Sequence, residues 1–186
     1  MMRVIAGTAR GMRLKVPERV ARPSTDRLRE ALFSILASCL PDAKVLDLFA
    51  GSGSLGIEAL SRGAESAVFV DSQRAACLAL NENLAKTRLV DRATCHQRDV
   101  FDALKSLSGS FDLIFADPPY ARSAPEDWAG KLLGVAELPM LLNEDGLLVL
   151  EVESEREAPQ GEGWELADQR IYGGCAILFY RRGGAT

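Results

Sequence analysis

The chain has one histidine, His96, and its four cysteines never approach CxxC spacing. Cys39, Cys77, Cys95 and Cys175 are dispersed along the sequence. This spacing therefore disfavours both a zinc cluster and a disulfide framework and points to plain thiols of a reducing compartment. No apolar run approaches the roughly 18 residues of a membrane span. The opening MMRVIAGTARG lacks the apolar h-region of a signal peptide. These absences predict a cytoplasmic protein. Internal repeats are also lacking, and low complexity is confined to Gly183-Gly184-Ala185-Thr186. With 186 residues, one domain with at most a small appendage is expected.

Excess positive charge is missing overall. The net charge of −4 would speak against a nucleic-acid partner if it were evenly spread. It is not. Residues 1–40 hold eight basic side chains (Arg3, Arg10, Arg13, Lys15, Arg19, Arg22, Arg27, Arg29) against Glu18, Asp26 and Glu30, a net of +5. The rest of the chain carries −9. A basic head on an acidic body suits a polyanion, although such segments are often only solvated.

Alternating runs at 3–6 and 12–16, parted by Gly7 and Gly11, predict a small hairpin. Pro17 to Pro23 reads as a linker. Thr25 is a candidate N-cap, with Asp26 in the first helical turn and an apolar face running to about Ser38. From Lys44 the pattern changes. Strands are expected at VLDLFA (45–50), 66–71, 92–97, 111–116 and 146–152, with helices between them. A hairpin over 164–171 and 176–182, turning at Tyr172-Gly173-Gly174, should finish the sheet. Strands alternating with helices imply an α/β fold with a parallel, doubly wound sheet and antiparallel strands at one edge.

Gly51, Gly53 and Gly56 fit G-x-G-x-x-G between a strand and a helix, where backbone can approach a ligand closely. Asp71 ends the next strand, placed to accept both hydroxyls of a ribose. A nicotinamide cofactor would use the same features. Two further acids tilt the choice. Asp47 lies inside the first strand's end, and Asp99 follows the third strand, where it can accept from an adenine amine. Three acids repel a pyrophosphate and suit S-adenosylmethionine, whose sulfonium and ammonium are positive. Each acid also has a plainer reading: Asp47 capping backbone N–H groups, Asp71 as a turn residue, Asp99 as a helix cap.

Phe111 to Tyr120 (FDLIFADPPY) joins a buried strand to a rigid turn, because the two prolines cannot continue the ladder. Asp117 and the Pro118 carbonyl can accept both hydrogens of an exocyclic amine, which frees its nitrogen lone pair. Tyr120 can stack on the face of a base, worth about 1–3 kcal/mol. A base paired in a helix would have to be flipped to enter.

Arg3-Val4-Ile5-Ala6-Gly7 with Arg10-Gly11, RPSTDRLRE (22–30), DLFAGSGSLGIEALSRGA (47–64) and Asp117 to Tyr120 resemble the RsmD-type 16S rRNA guanine-N2 methyltransferases. The resemblance runs from Arg3 to about Arg181. It implies a Rossmann-like, seven-stranded sheet whose last strand is antiparallel. It implies an N-terminal basic β-hairpin extension with its linker over 1–23 and a class I methyltransferase domain over 24–186. The implied activity is methylation of one guanine N2 in 16S rRNA, on a small-subunit ribosomal particle, by a monomer. By position, Asp47, Phe49, Ala50, Gly51, Ser52, Gly53, Asp71, Ser72, Asp99, Val100 and Asp117 would bind S-adenosyl-L-methionine. Asp117, Pro118, Pro119 and Tyr120 would hold the guanine amine. Arg3, Arg10, Arg13, Arg22 and Arg27 would contact RNA, although Arg22 and Arg27 also suit the cofactor's carboxylate. Where the family often has Thr, this chain has Ser24. Other readings compete: the same chemistry on DNA adenine or protein glutamine, a nicotinamide-dependent oxidoreductase, or a non-catalytic RNA-binding module.

Overall fold

The computed structural model describes residues 2–17, 26–119 and 127–184. Among these, helix α1 (Asp26–Ile35) is followed by β1 (Lys44–Leu48), α2 (Ser54–Ser61), β2 (Ser66–Asp71), α3 (Arg74–Thr87) and β3 (Ala93–Gln97). Then come α4 (Val100–Leu104), β4 (Phe111–Ala116), α5 (Trp128–Leu133), β5 (Leu142–Glu153), β6 (Trp164–Tyr172) and β7 (Cys175–Arg182). The strands form one seven-stranded sheet in the order β3-β2-β1-β4-β5-β7-β6. Strands β1 to β5 pair in parallel, and β7 runs antiparallel to both β5 and β6. The expected sheet, with an antiparallel final strand, is the one observed.

Both faces of the sheet are covered, which is why the central strands read as apolar runs rather than alternations. One face packs Val45, Phe69, Leu113, Phe115 and Val149 against α1, α2 and α3. The other packs Leu46, Leu48, Ile114, Leu148 and Leu150 against α4 and α5. The chain crosses from one face to the other between β3 and β4. Strand order therefore reverses between β1 and β4, and their carboxyl ends flank the crevice where such sheets bind ligands.

The N-terminal segment is a hairpin with a minimal ladder. Arg3 and Arg13 form a single antiparallel bridge. The Val4 N–H donates to Met12 O and the Leu14 N–H to Met2 O, each at 2.9 Å. The longer strands expected over 3–6 and 12–16 do not form, because other polar partners take the backbone. Buried Glu58 of α2 accepts from the N–H groups of Ile5 (2.7 Å) and Ala6 (3.0 Å). Ser61 accepts from the Ala9 N–H and donates to Ala6 O. Asn83 of α3 accepts from the Lys15 N–H and donates to both Lys15 O and Ser52 O. Gly7 sits so close that a β-carbon there would lie 1.8 Å from Ser61 O. Met2, Val4, Ala9 and Leu14 then enter the same apolar core as α1 to α3.

Arg29 of α1 is fully buried and donates through Nη2 to Arg3 O (2.7 Å) and Asp26 Oδ1 (2.8 Å). Burial alone would raise the Asp26 carboxyl, but bonds to Arg29 and Arg3 hold it below the usual range. Helix α1 ends at Ile35 and gives way to a 3-10 turn at Ala37–Cys39, short of the expected Ser38. Strand β5 starts at Leu142, four residues before the expected Gly146. Its register shifts between the pairs Phe111↔Leu142 and Leu113↔Leu147. Exposed Glu144 and Asp145 fall in that irregular stretch, and their polarity disguised it. The linker residues 18–23, Ser24, the Thr25 cap and Tyr120 lie outside the described residues.

Candidate functional site

The loop after β1 is a tight backbone turn. Phe49 (φ 58°), Gly51 (φ 55°) and Gly53 (φ 78°) all adopt left-handed conformations, which glycine takes without strain. The Ala50 N–H donates to Val70 O (3.0 Å) and the Gly53 N–H to Ala50 O (2.7 Å). Gly56 serves packing instead. A β-carbon there would lie 2.3 Å from the Phe69 ring and 3.2 Å from Asp47 Oδ2. Ser52 is buried, with its hydroxyl on Met2 Sδ and its carbonyl held by Asn83. Its side chain thus faces the N-terminal hairpin.

The acids gather along the carboxyl rim of the sheet. Asp47 is buried and accepts from the Gly56 N–H (2.9 Å). Burial, reinforced by the charge of Asp71, pushes its carboxyl up to about 8 against the pull of that bond. Asp71 accepts from the Gly51 N–H through Oδ2 and the Gln73 N–H through Oδ1, each at 2.8 Å. It ties the glycine loop to the end of β2 and still has lone pairs in reserve. Asp99 caps α4, accepting from Phe101 N (2.9 Å) and Asp102 N (3.2 Å) through Oδ1. Exposed Ser72 follows Asp71, and buried Val100 follows Asp99. The plainer structural roles of the three acids are all present, and each carboxyl keeps further lone pairs.

Asp117 follows β4 directly. The pairing Leu48↔Ala116 puts it beside the glycine loop, across the switch point. Its carboxyl is raised well above the ordinary value by burial first, then by the charges of Glu151 and Asp47. Pro118 is buried and Pro119 exposed. On the opposite face, Phe49 meets the Trp128 ring edge-on at 6.2 Å, and Phe101 stacks on the same ring at 5.6 Å. Nothing in the sequence pattern paired these three rings, because they come from three separate loops and helix starts. The Trp128 Nε1–H is buried without a partner among the described residues.

Arg10, Arg13 and Arg27 are not buried, and Arg3 is exposed in an ion pair with Asp26 at 3.1 Å. All four belong to the side of the sheet covered by α1 to α3. Arg22 is not among the described residues. The structure thus brings Asp47, the glycine loop, Asp71 and Asp117 together, with Asp99 further along the rim, while the hairpin that carries Arg3, Arg10 and Arg13 touches the glycine loop through Met2 and Ser52.

The family described as "Conserved hypothetical protein 95" matches residues 2–181. Ribosomal RNA small subunit methyltransferase D of Escherichia coli (strain K12) is 36% identical over 183 residues, covering 97% of this chain and 90% of that protein. Hypothetical protein TTHA0928 of Thermus thermophilus superposes with a TM-score of 0.81 at 36% identity, over 96% of this chain and 98% of its own. SMU.776, solved in complex with SAH, superposes with a TM-score of 0.66 over 84% of this chain and 49% of its own; at 18% identity the likeness is one of fold.

Proposed function

The chain belongs to the Conserved hypothetical protein 95 family, the family of RsmD-type enzymes, and from that premise we propose that it is an rRNA methyltransferase. Its substrate is the exocyclic N2 amine of one guanine in 16S rRNA, presented on a small-subunit particle, and its methyl donor is S-adenosylmethionine. One observation carries the reading: the β1·β4 register sets the Asp117-Pro118-Pro119 turn beside the glycine loop.

The residues present suit that donor. Asp47 is a buried carboxyl that a cationic ligand would ionise, and Asp71 and Asp99 stand along the same rim. Such a set disfavours a pyrophosphate. The glycine loop and Asp71 would hold the ribose and the amino-acid portion, and Asp99 with Val100 the adenine. When bound, S-adenosylmethionine supplies an electrophilic methyl carbon on a sulfonium.

The chain's own part lies in positioning and in the amine's protons. Asp117 and the Pro118 carbonyl accept the two N2 hydrogens, which localises the nitrogen lone pair. Tyr120 and the prolines hold the base by its face. The amine's two N–H donors offset the burial that raises Asp117 in the free protein, so that it meets the base as a carboxylate; the methylated nitrogen is an acidic ammonium and gives up its proton readily. The remaining acceleration comes from fixing the amine at near-attack distance.

The test supplies S-adenosylmethionine labelled in its methyl group together with small-subunit particles, naked 16S rRNA or duplex DNA. Label in rRNA, mapping by mass to a single N2-methylguanosine, is the expected result. Label only in DNA, or NAD binding without S-adenosylmethionine binding, would overturn the proposal.

A further inference from the structure

The Asp117 turn does not by itself tell guanine N2 from adenine N6, since both are flat exocyclic amines with two hydrogens. The neighbouring strand supplies a group that does. Phe115 pairs with Val149 and Ala116 with Leu150 in the parallel β4·β5 register. The next residues along are Asp117 and Glu151. Side chains alternate along a strand, so both acids point to the face that carries Phe115 and Val149. Glu151 is half-buried there. Its charge is the first after burial to raise Asp117, and Cys175 on β7 is raised by burial and then by the charges of Glu151 and Asp117. Nothing in the methyl-transfer scheme above uses this second carboxylate.

Two like charges at one strand end are unfavourable unless a ligand brings donors to both. Guanine does so: its Watson–Crick edge shows the N2 amine and, beside it, the N1–H. Adenine shows an amine beside a bare N1 lone pair, which would face the second carboxylate with repulsion. Adjacent strands lie about 4.8 Å apart, so carboxylates at neighbouring positions of two such strands are close enough to share one purine edge. Resting on the rRNA methyltransferase reading, we propose that Glu151 selects guanine by accepting its N1–H while Asp117 and the Pro118 carbonyl hold the N2 amine. A carboxylate has about four lone-pair sites, so Glu151 can take this bond in addition to its contacts within the protein.

The test replaces the mapped target guanine, in splint-ligated rRNA assembled into particles, by 2,6-diaminopurine. That base keeps the N2 amine and loses the N1–H. The wild-type enzyme is expected to methylate it at least about 10-fold more slowly than guanine, in line with the discrimination a specific base contact gives. Glu151→Gln offers an amide N–H to the analogue's N1. It should lower the guanine rate and shift the preference toward 2,6-diaminopurine by roughly 10-fold or more. S-adenosylmethionine binding by this variant should be unchanged. Equal wild-type rates on the two bases would overturn the inference without any mutant. So would an unaltered preference in a folded Glu151→Gln protein. If Glu151→Gln does not fold, Glu151→Asp, which keeps the acceptor, must retain the guanine preference. A wild-type enzyme that methylates no guanine at all would instead overturn the underlying reading.

Discussion

Asp47 and Asp117 are the residues whose chemistry most exceeds their appearance in the sequence. Asp47 titrates near 8 in the folded free protein against an ordinary 3.8. Between about pH 4 and pH 8 the native state therefore binds more protons than the unfolded one. Stability must fall as pH rises through that window, since its slope follows the protons held by the unfolded state minus those held by the native. Asp117 is raised as well and adds to the same slope. Asp26 and Asp102, which are lowered, act only at pH values below this range. Thermal melts of the free protein from pH 5 to pH 8 should show a falling Tm. Asp47→Asn should flatten the fall and raise Tm at pH 8, by on the order of 2–4 °C per kcal/mol recovered. A rising Tm over that range would contradict the buried, proton-holding carboxyl. Asp117→Ala addresses the other half of the site. Methyl transfer should drop by roughly 10²–10⁴-fold with S-adenosylmethionine affinity intact in a calorimetric titration. A normal rate would remove Asp117 from the reaction. Both aspartates could be picked out from sequence because each interrupts or ends an apolar strand. Their energetic state could not, since it depends on neighbours from other strands.

At the scale of elements, legibility followed periodicity. Strands β2 and β4 have the bounds read from their apolar runs, and β1 differs only at its ends, because the buried apolar residues of each run mark its extent even where an aspartate interrupts it. The N-terminal hairpin was legible as a turn and not as an attachment. Glu58 sits in SLGIEALS, where a charged residue would ordinarily mark the solvent face. It is buried because Ile5 and Ala6, about fifty residues earlier, bring it two backbone N–H groups. Arg62 completes the arrangement with an ion pair at 2.7 Å. Glu58→Ala should strand those donors and that guanidinium. The expected loss is about 2–5 kcal/mol, a Tm lower by roughly 5–15 °C. Hydrogen exchange over residues 2–17 should accelerate more than exchange in β1 or β4. Uniform acceleration would show that the hairpin and the sheet open as one unit.

Charge is the property that belongs to the molecule as a whole. The basic residues of the first forty positions that the structure describes lie on the hairpin and α1, while Asp47, Asp71, Asp99 and Asp117 stand along the carboxyl rim. The basic residues would attract a polyanion and the rim acids a cationic ligand. Replacing Arg10 and Arg13 by Gln should weaken rRNA binding about equally for all sequences. It should also lower the salt slope by about one for each phosphate that the protein ceases to neutralise. An unchanged slope in filter binding across a salt series would assign those arginines to solvation alone. Composition alone revealed the asymmetry; where the basic residues lie depends on the hairpin folding back onto α2 and α3.

The place of β7 between β5 and β6 has a consequence for synthesis. β6 leaves the ribosome before β7, yet among the described residues β7 is its sole partner in the sheet. Until Arg182 has emerged, the nascent chain holds β6 unpaired and the outer edge of β5 open, a state prone to mispairing. Release of a chain stopped short of Cys175 should accordingly give aggregates rather than a smaller soluble fold.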